Sequence, residues 1–429
     1  AKAEVGRTRR VVSLAAALLA VFSFASPARA SEGEVIVTSE AQLLERWLTH
    51  GVEVKAIRAE IDAARFERIR ARVLPNPELG VTGVFLVAGE PPDGRRNVGA
   101  EVAWELPIMG EVRARKDAAE RAVDVAEMQI AHALWVRAAE IRRALVELVH
   151  AAEAVRLLER FLDELVALEA TVAARVGRGV DPAYDDLRLS LELDRVRADL
   201  AGARLRRDGA EAAVRVLVND PSIGVIDVRF DGLSRYEGTA SEGALVREAL
   251  AARPDVWLER HLAKEKRSLA HQYLVEARPN PVLTLGTYVA READGANVIG
   301  GLRLPLPVAD RNRGLVGRTR AEAAVHEVRA EALEARVRTE VGAALARLAA
   351  ARETLARHRE GALPRATSLV EKATRAYAGG VFSIVDLLDA ARAHAEALEK
   401  ELDLAREVAE AEAELARVLA AAVVAGRAG

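Results

Sequence analysis

The 429-residue chain has no cysteine and only two methionines, so neither a disulfide framework nor a soft thiolate or thioether metal cluster is open to it. Aromatic residues make up 4%, too few for the cores of the two or three globular domains this length ordinarily implies. The eight histidines, His261 and His271 among them, are scattered without an H-x-x-x-H spacing. No nucleophile elbow, phosphate-binding loop or metalloprotease signature occurs, so the sequence offers no enzyme, metal site or cofactor. From Ser31 onward no apolar run reaches the ~20 residues of a membrane-spanning helix. Mean hydropathy is a neutral +0.03, which excludes a polytopic helical membrane protein. Any crossing of a bilayer has to use β-strands.

What is present begins with an export signal, expected over residues 1–30. Lys2, Arg7, Arg9 and Arg10 precede the apolar stretch "VVSLAAALLAVFSF" (11–24), and "ARA" (28–30) places small residues before Ser31. The competing reading is a membrane anchor, for which fourteen apolar residues are short. Residues 1–30 carry five cations, Arg29 included, against Glu4, so their removal takes the net charge from −3 to −7. An acidic chain of this kind is no nucleic-acid binder. Charged residues at 30%, with Ala, Leu, Glu and Arg dominant, point to long packed helices.

An internal repeat of about 200 residues organises the rest. "LPNPELGVTGVFLVAGE" (74–90) returns as "RPNPVLTLGTYVARE" (278–292), and "NVGAEVAWELP" (97–107) as "NVIGGLRLP" (297–305). Long helical tracts follow from about Met109 and Asn312, and each reaches a glycine break, "VGRGVDPAYDDL" (176–187) and "YAGGVFSIVDLL" (377–388). At an offset of 201, Gly179 falls on Gly380, Val180 on Val381, Asp185 on Asp386 and Leu187 on Leu388. The expected division is residues 31–218 for the first repeat, with a β-hairpin at 78–106 and a helical hairpin at 109–218. A connection follows at 219–240, then the second repeat at 241–429, with a β-hairpin at 282–306 and a helical hairpin at 312–425. Apolar positions keep a seven-residue beat: Val155, Leu158, Leu162, Leu165 and Val172, then Leu189, Leu193, Val196, Leu200 and Ala203 on the returning helix. Leu388, Ala391, Ala395, Leu398, Leu402 and Ala405 continue it in the second copy. Such spacing builds coiled-coil seams.

The strands have a period of two. Val81, Gly83, Phe85 and Val87 share a face, as do Val98, Ala100, Val102 and Trp104, and Leu283, Leu285, Thr287 and Val289. Each is about ten residues, the length of a tilted membrane strand, with prolines at the ends. Two soluble hairpins capping a helical bundle are the alternative. In lipid a four-stranded sheet cannot close by itself, since membrane barrels start at eight strands. Three chains would supply twelve.

This arrangement, over essentially the whole chain after residue 30, resembles the TolC family of outer-membrane efflux proteins, and in particular its CzcC-like heavy-metal and drug efflux branch. "SIVDLLDA" (383–390) and the paired "PNP" motifs carry the likeness. The resemblance implies a mostly α fold with a small β part. It implies a homotrimer with a twelve-stranded outer-membrane barrel embedded in lipid above a periplasmic α-barrel. Its partners would be a periplasmic adaptor and an inner-membrane RND pump, which supplies the energy. Asp386 and Asp389 would line the periplasmic aperture as an acidic, cation-attracting ring, and Asp185 would occupy a latch position. Gly179, Val180, Gly380 and Val381 would form the hairpin-tip turns that dock the adaptor. The latch's usual arginine would fall at Phe382, so that latch is not expected; Arg178 is a substitute.

A plainer reading of Asp386 stands beside this one. Ser383 with Asp386 forms an S-x-x-D helix start, and a first-turn carboxylate suits the helix dipole. Asp181–Pro182 would likewise start the helix after the first tip. Asp389, a turn deeper, is not accounted for by capping. The same fold also serves type I protein secretion, and a periplasmic coiled-coil adaptor would share the hairpins without the barrel.

Overall fold

The computed structural model describes residues 35–84, 97–179, 182–290 and 295–420. The expected export signal, Phe85 and Val87 of the first strand, and Val180 and Asp181 at the first tip lie outside the described residues. The first elements are β1 (Val35–Val37), α1 (Glu40–His50), α2 (Val52–Arg70), β2 (Glu78–Val84) and β3 (Asn97–Glu105). Next come α3 (Glu111–Gly177), α4 (Ala183–Val218), β4 (Ile223–Ile226), α5 (Glu242–Ala252) and α6 (Pro254–Glu276). The remainder is β5 (Val282–Ala290), β6 (Gly295–Arg303), α7 (Arg313–Arg357), α8 (Leu363–Ala378) and α9 (Ile384–Val418). The fold is mostly helical with a small β part. Among the described residues no helix is long and apolar enough to cross a membrane.

The chain packs as two compact units, and the division cuts across the sequence repeat. One unit takes residues up to Ile57, Ala131–Pro254 and Glu334 onward; the other takes Arg58–Ile130 and Asp255–Leu333. Each repeat thus gives strands to one unit and the shaft of a helical hairpin to the other.

In the second unit the strands form one antiparallel sheet in the order β2-β3-β5-β6. Register places Val81 opposite Ala100, Ala100 opposite Thr287, Val102 opposite Leu285 and Trp104 opposite Leu283. The period-two residues of separate strands therefore share one face of the sheet. That face is exposed: Leu79, Val81, Val98, Val102, Leu283, Leu285, Val298 and Leu302 are all open. Gly286 stands opposite Glu101, and a Cβ there would lie 2.9 Å from the Ala100 carbonyl oxygen, so the strand needs glycine at this close approach. The "PNP" motifs tie off the strand ends. The Trp104 indole donates to the Pro75 carbonyl at 3.0 Å, Leu106 N to the Pro281 carbonyl at 2.9 Å, and Asn280 Nδ2 to Glu105 Oε1 at 2.8 Å.

In the first unit α3, α4 and α9 carry the heptad seams. Val155, Leu200 and Ala203 lock α3 to α4, and the buried rows Leu165, Val172 and Leu189, Leu193, Val196 continue toward the tips. The second seam is looser than the sequence indicates. Leu388 is buried, but Ala391, Ala395, Leu398, Leu402 and Ala405 are only half-buried. A cavity of about 570 Å³ runs along α9 beside Ala395 and Leu402, because alanine leaves the space that leucine would fill.

The helical tract from 312 to 377 carries a π turn at His358–Ala362. Pro364 has no N–H to give the carbonyl four residues back, and the widened turn accommodates that loss. The Leu363 N–H reaches instead to the His358 carbonyl, and the His358 ring hydrogen-bonds the Ala397 carbonyl oxygen on α9 at 2.8 Å.

β1 and β4 pair in parallel beside a buried ion pair. Arg142 Nε donates to Glu40 Oε1 at 2.5 Å, and Glu40 Oε2 accepts from Ser234 N at 3.0 Å. Arg142→Leu leaves the Glu40 carboxylate buried without its cation and should cost about 3–5 kcal/mol. Glu40→Leu combined with Arg142→Leu should cost less than the single change, as read by thermal unfolding of the purified protein.

Candidate functional site at the hairpin tips

Both helical hairpins turn in the same way, for a backbone reason. Gly179 and Gly380 adopt φ of +73° and +72°, the left-handed region that favours glycine. At the second tip Gly380 N donates to the Tyr377 carbonyl at 3.0 Å and Val381 N to the Ala376 carbonyl at 2.9 Å. This pair of bonds is a Schellman motif, which satisfies the last carbonyls of α8. At the first tip Gly179 N donates to the Val176 carbonyl at 2.9 Å, the matching bond at the end of α3. The repeat in sequence is thus a repeat of helix-ending chemistry.

The helices restart with carboxylates at the same place, the third residue after the cap. Ser383 caps α9: its Oγ accepts from Asp386 N at 3.3 Å, while Asp386 Oδ2 accepts from Ser383 N at 2.9 Å and Ser383 Oγ at 2.7 Å. These bonds from the Ser383 hydroxyl and backbone hold the exposed Asp386 carboxyl below the usual carboxylate range. At the first tip the cap position falls on Pro182, one residue later than the sequence indicates. Proline offers neither hydroxyl nor N–H, so no reciprocal box can form there. Asp185 N donates to the Pro182 carbonyl at 3.0 Å, and the Asp185 residue is buried.

Asp389 is exposed on α9, three residues beyond Asp386 and on the same helical face. Arg178 Nε donates to the Ala174 carbonyl of its own helix at 3.0 Å. Phe382, which stands in the arginine position, is exposed, as are Val381, Val385, Tyr184 and Leu187. The tips therefore present an apolar collar around the carboxylates. Beneath it Tyr377, Ile384, Leu387 and Leu388 join Leu189 and Leu193 in one core cluster, and Arg175 lies 4.9 Å over the Tyr377 ring.

One pair escapes sequence reasoning. Glu192 on α4 is buried and receives both Nε (2.8 Å, to Oε1) and Nη2 of Arg392 on α9. The hydrogen bond from Arg392 holds the Glu192 carboxyl below its usual range. That same bond raises the Arg392 guanidinium, with Asp389 and Glu396 adding to it. The pair joins the two hairpins just above their tips, and through Arg392 the Asp389 charge is coupled to it. Its only trace in the sequence is a charge beside each apolar seam, one residue from Leu193 and one from Ala391.

Among the described residues no group of three or more His, Cys, Asp or Glu side chains could hold a metal ion. A groove of about 760 Å³ between α3, α8 and α9 is lined by Phe161, Leu165, Val370, Thr374, Leu387 and His394.

Comparison with known proteins places this geometry in a lineage. The family model described as outer membrane efflux protein matches residues 43–220 and 245–421, one span for each repeat. The cobalt-zinc-cadmium resistance protein CzcC of Cupriavidus metallidurans is 24% identical over 344 residues, covering 79% of each chain. A crystal structure of CusC, from a study of folding and transmembrane channel formation, superposes with a TM-score of 0.70 at 17% identity, covering 93% of this chain and 95% of that one. The outer membrane protein VceC of Vibrio cholerae gives 0.69 at 16% identity (89% and 95%), and the open-state MtrE channel of Neisseria gonorrhoeae 0.69 at 18% (92% and 93%). With both of its repeats matched by the family model, the chain belongs to the outer membrane efflux protein family.

Proposed function

We propose that this outer-membrane efflux protein works as a homotrimeric, passive duct in a tripartite assembly with a periplasmic adaptor and an inner-membrane RND pump. The observation that carries the reading is the sheet. Its apolar face is open over four strands, and among the described residues its edge strands β2 and β6 have no partner on their outer sides. An apolar face of that extent suits lipid, and lipid tolerates no unpaired edge. Three copies joined edge to edge give twelve strands and remove every edge. The chain then needs no chemistry of its own, since the pump drives transport.

The cargo we assign is divalent metal ions, on the likeness to a cobalt-zinc-cadmium resistance protein and on the acidic tips. Three copies bring six carboxylates, Asp386 and Asp389 of each, around one axis, a cation-selective arrangement. The apolar collar and the groove between α3, α8 and α9 are the surfaces offered to the adaptor. A host lacking this chain should lose tolerance to cobalt, zinc or cadmium and regain it on complementation; equal tolerance with and without the chain overturns the metal cargo.

Asp389→Asn should lower cation selectivity in planar-bilayer recordings with trimers intact. Asp386→Asn should also weaken the start of α9, because the capping box needs its carboxylate. If the double variant conducts and selects as the wild type does, the two residues do not line the aperture.

The Glu192–Arg392 pair is the inter-hairpin tie that takes the place of the missing arginine at Phe382. Its sign with pH follows from the lowered Glu192 carboxyl: the tie is complete above the ordinary carboxylate range and is lost as pH falls through the depressed value. Glu192→Gln should release roughly 1.5–3 kcal/mol at neutral pH and speed amide exchange at 384–392 by about tenfold or more. It should also flatten the acid dependence of that exchange. Wild-type exchange rates in the variant exclude the tie.

A further inference from the structure

The four strands of the second unit meet their helices at one end of the sheet. Register sets Glu78 opposite Ala103, and Glu105, Val282 and Arg303 in one row, so the starts of β2 and β5 lie with the ends of β3 and β6. The chain enters this end from α2 and α6 and leaves it into α3 and α7.

Apolar side chains run past the strand ends here. Ile108 is 67% exposed, Leu306 72% and Val308 80%, and Leu74 and Leu304 are open as well. Trp104, the last residue of β3 on the apolar face, is partly open and has its indole N–H bonded to the Pro75 carbonyl. An apolar ring with a satisfied polar tip is the residue type of a membrane–water border.

Charge changes sign at the same place. The chain carries −3 overall, yet segments 67–72, 111–117, 276–278 and 309–320, which adjoin the strand ends, hold eleven Arg and Lys against five Asp and Glu. Of the five, Glu111 is buried, Glu67 is held by Arg70 at 3.1 Å, and Asp117 is exposed. Glu276 accepts from Gln272 at 2.8 Å, and Asp310 from the Asn312 N–H at 2.8 Å. Glu78, Glu105 and Arg303 stand on the other face of the sheet, by register. Arg72 and Arg318 are engaged by Glu120 and Glu322. Arg113, Arg278, Arg311 and Arg313 are exposed, and among the described residues none of these four pairs with a carboxylate. Arg311 Nε donates to the Pro307 carbonyl at 3.3 Å, which lays that side chain back along the apolar stretch at 304–308.

Uncommitted guanidinium groups set directly beyond open apolar side chains suit a ligand that is apolar at one end and anionic at the other. Free phosphate meets only the second requirement. An anionic phospholipid meets both: its acyl chains cover Ile108, Leu306 and Val308, and its phosphate takes the forked N–H donors of arginine. We propose that this end of the sheet is a headgroup belt selective for anionic phospholipids in the leaflet nearer the helices. The inference rests on the membrane-embedded sheet of the duct proposed above and adds the class of lipid that holds it.

The test uses the full chain extracted in detergent. Phosphatidylglycerol and phosphatidylcholine with the same acyl chains are supplied in equal amounts, and retained lipid is counted by native mass spectrometry. Phosphatidylglycerol should be retained over phosphatidylcholine by about fivefold or more, and the excess should shrink between roughly 0.05 M and roughly 0.3 M salt. Equal retention overturns the headgroup selectivity and leaves the duct standing. A chain recovered in the aqueous fraction without detergent overturns the duct, and the belt with it. Added inorganic phosphate should leave the bound lipid in place; full displacement assigns the arginines to free phosphate and overturns the lipid belt. Arg113→Gln, Arg278→Gln, Arg311→Gln and Arg313→Gln together should abolish the preference, with phosphatidylcholine retention and helicity by circular dichroism unchanged. An undiminished preference in that variant overturns the assignment to these four residues. The wild-type comparison decides the selectivity whether or not the variant folds.

Discussion

An open β-sheet with one apolar face is stable in neither solvent alone. Water disfavours the face, and lipid disfavours the unpaired N–H and C=O groups of the edges. This constraint governs the rest of the chain. The strands of one copy are too few to close a barrel, so the proposed duct asks for copies that share their edges. The same logic accounts for the scarcity of aromatic residues: a structure built from helix rows spreads its burial over many small contacts, not over one thick core.

The chemistry of the tips grows out of helix termination. A left-handed glycine ends each descending helix, and a carboxylate three residues past the cap begins each ascending one. In the second hairpin that carboxylate is consumed by its serine, whereas in the first a proline cap leaves the equivalent aspartate to be buried. Duplicated local chemistry has thus diverged into two environments. Asp389 stands apart from this scheme, since no helix-starting role reaches it, and its charge acts on the arginine already committed to Glu192.

Much of this was legible from residue order. The period of two in the strands and the period of seven in the helices each name the face that is buried or shared, because side-chain direction follows backbone geometry. The 201-residue offset aligned the glycines, and the structure gives them the same φ. Other features depend on context that periodicity does not carry. The π turn hinges on how the chain absorbs one proline, which a kink or a break would have answered equally. The half-buried second seam follows from alanine volume across three helices. The Glu192–Arg392 pair joins residues 200 positions apart, and from sequence each looks like a solvated charge. The shift of the first cap onto Pro182 is a single-residue boundary matter, which propensity does not resolve.

The π turn has one more consequence. An extra residue in a helix turns everything after it by about 100° around the axis. The face that α7 directs outward is therefore not the face that α8 carries down to the tip. In the first hairpin α3 descends without such a turn, from Glu111 to Gly177. A chain built by duplication would, in threefold company, approximate sixfold symmetry. In the trimer proposed above, one widened turn in one of the two descending helices would break that likeness and add to the difference between the serine-capped and the proline-capped tips.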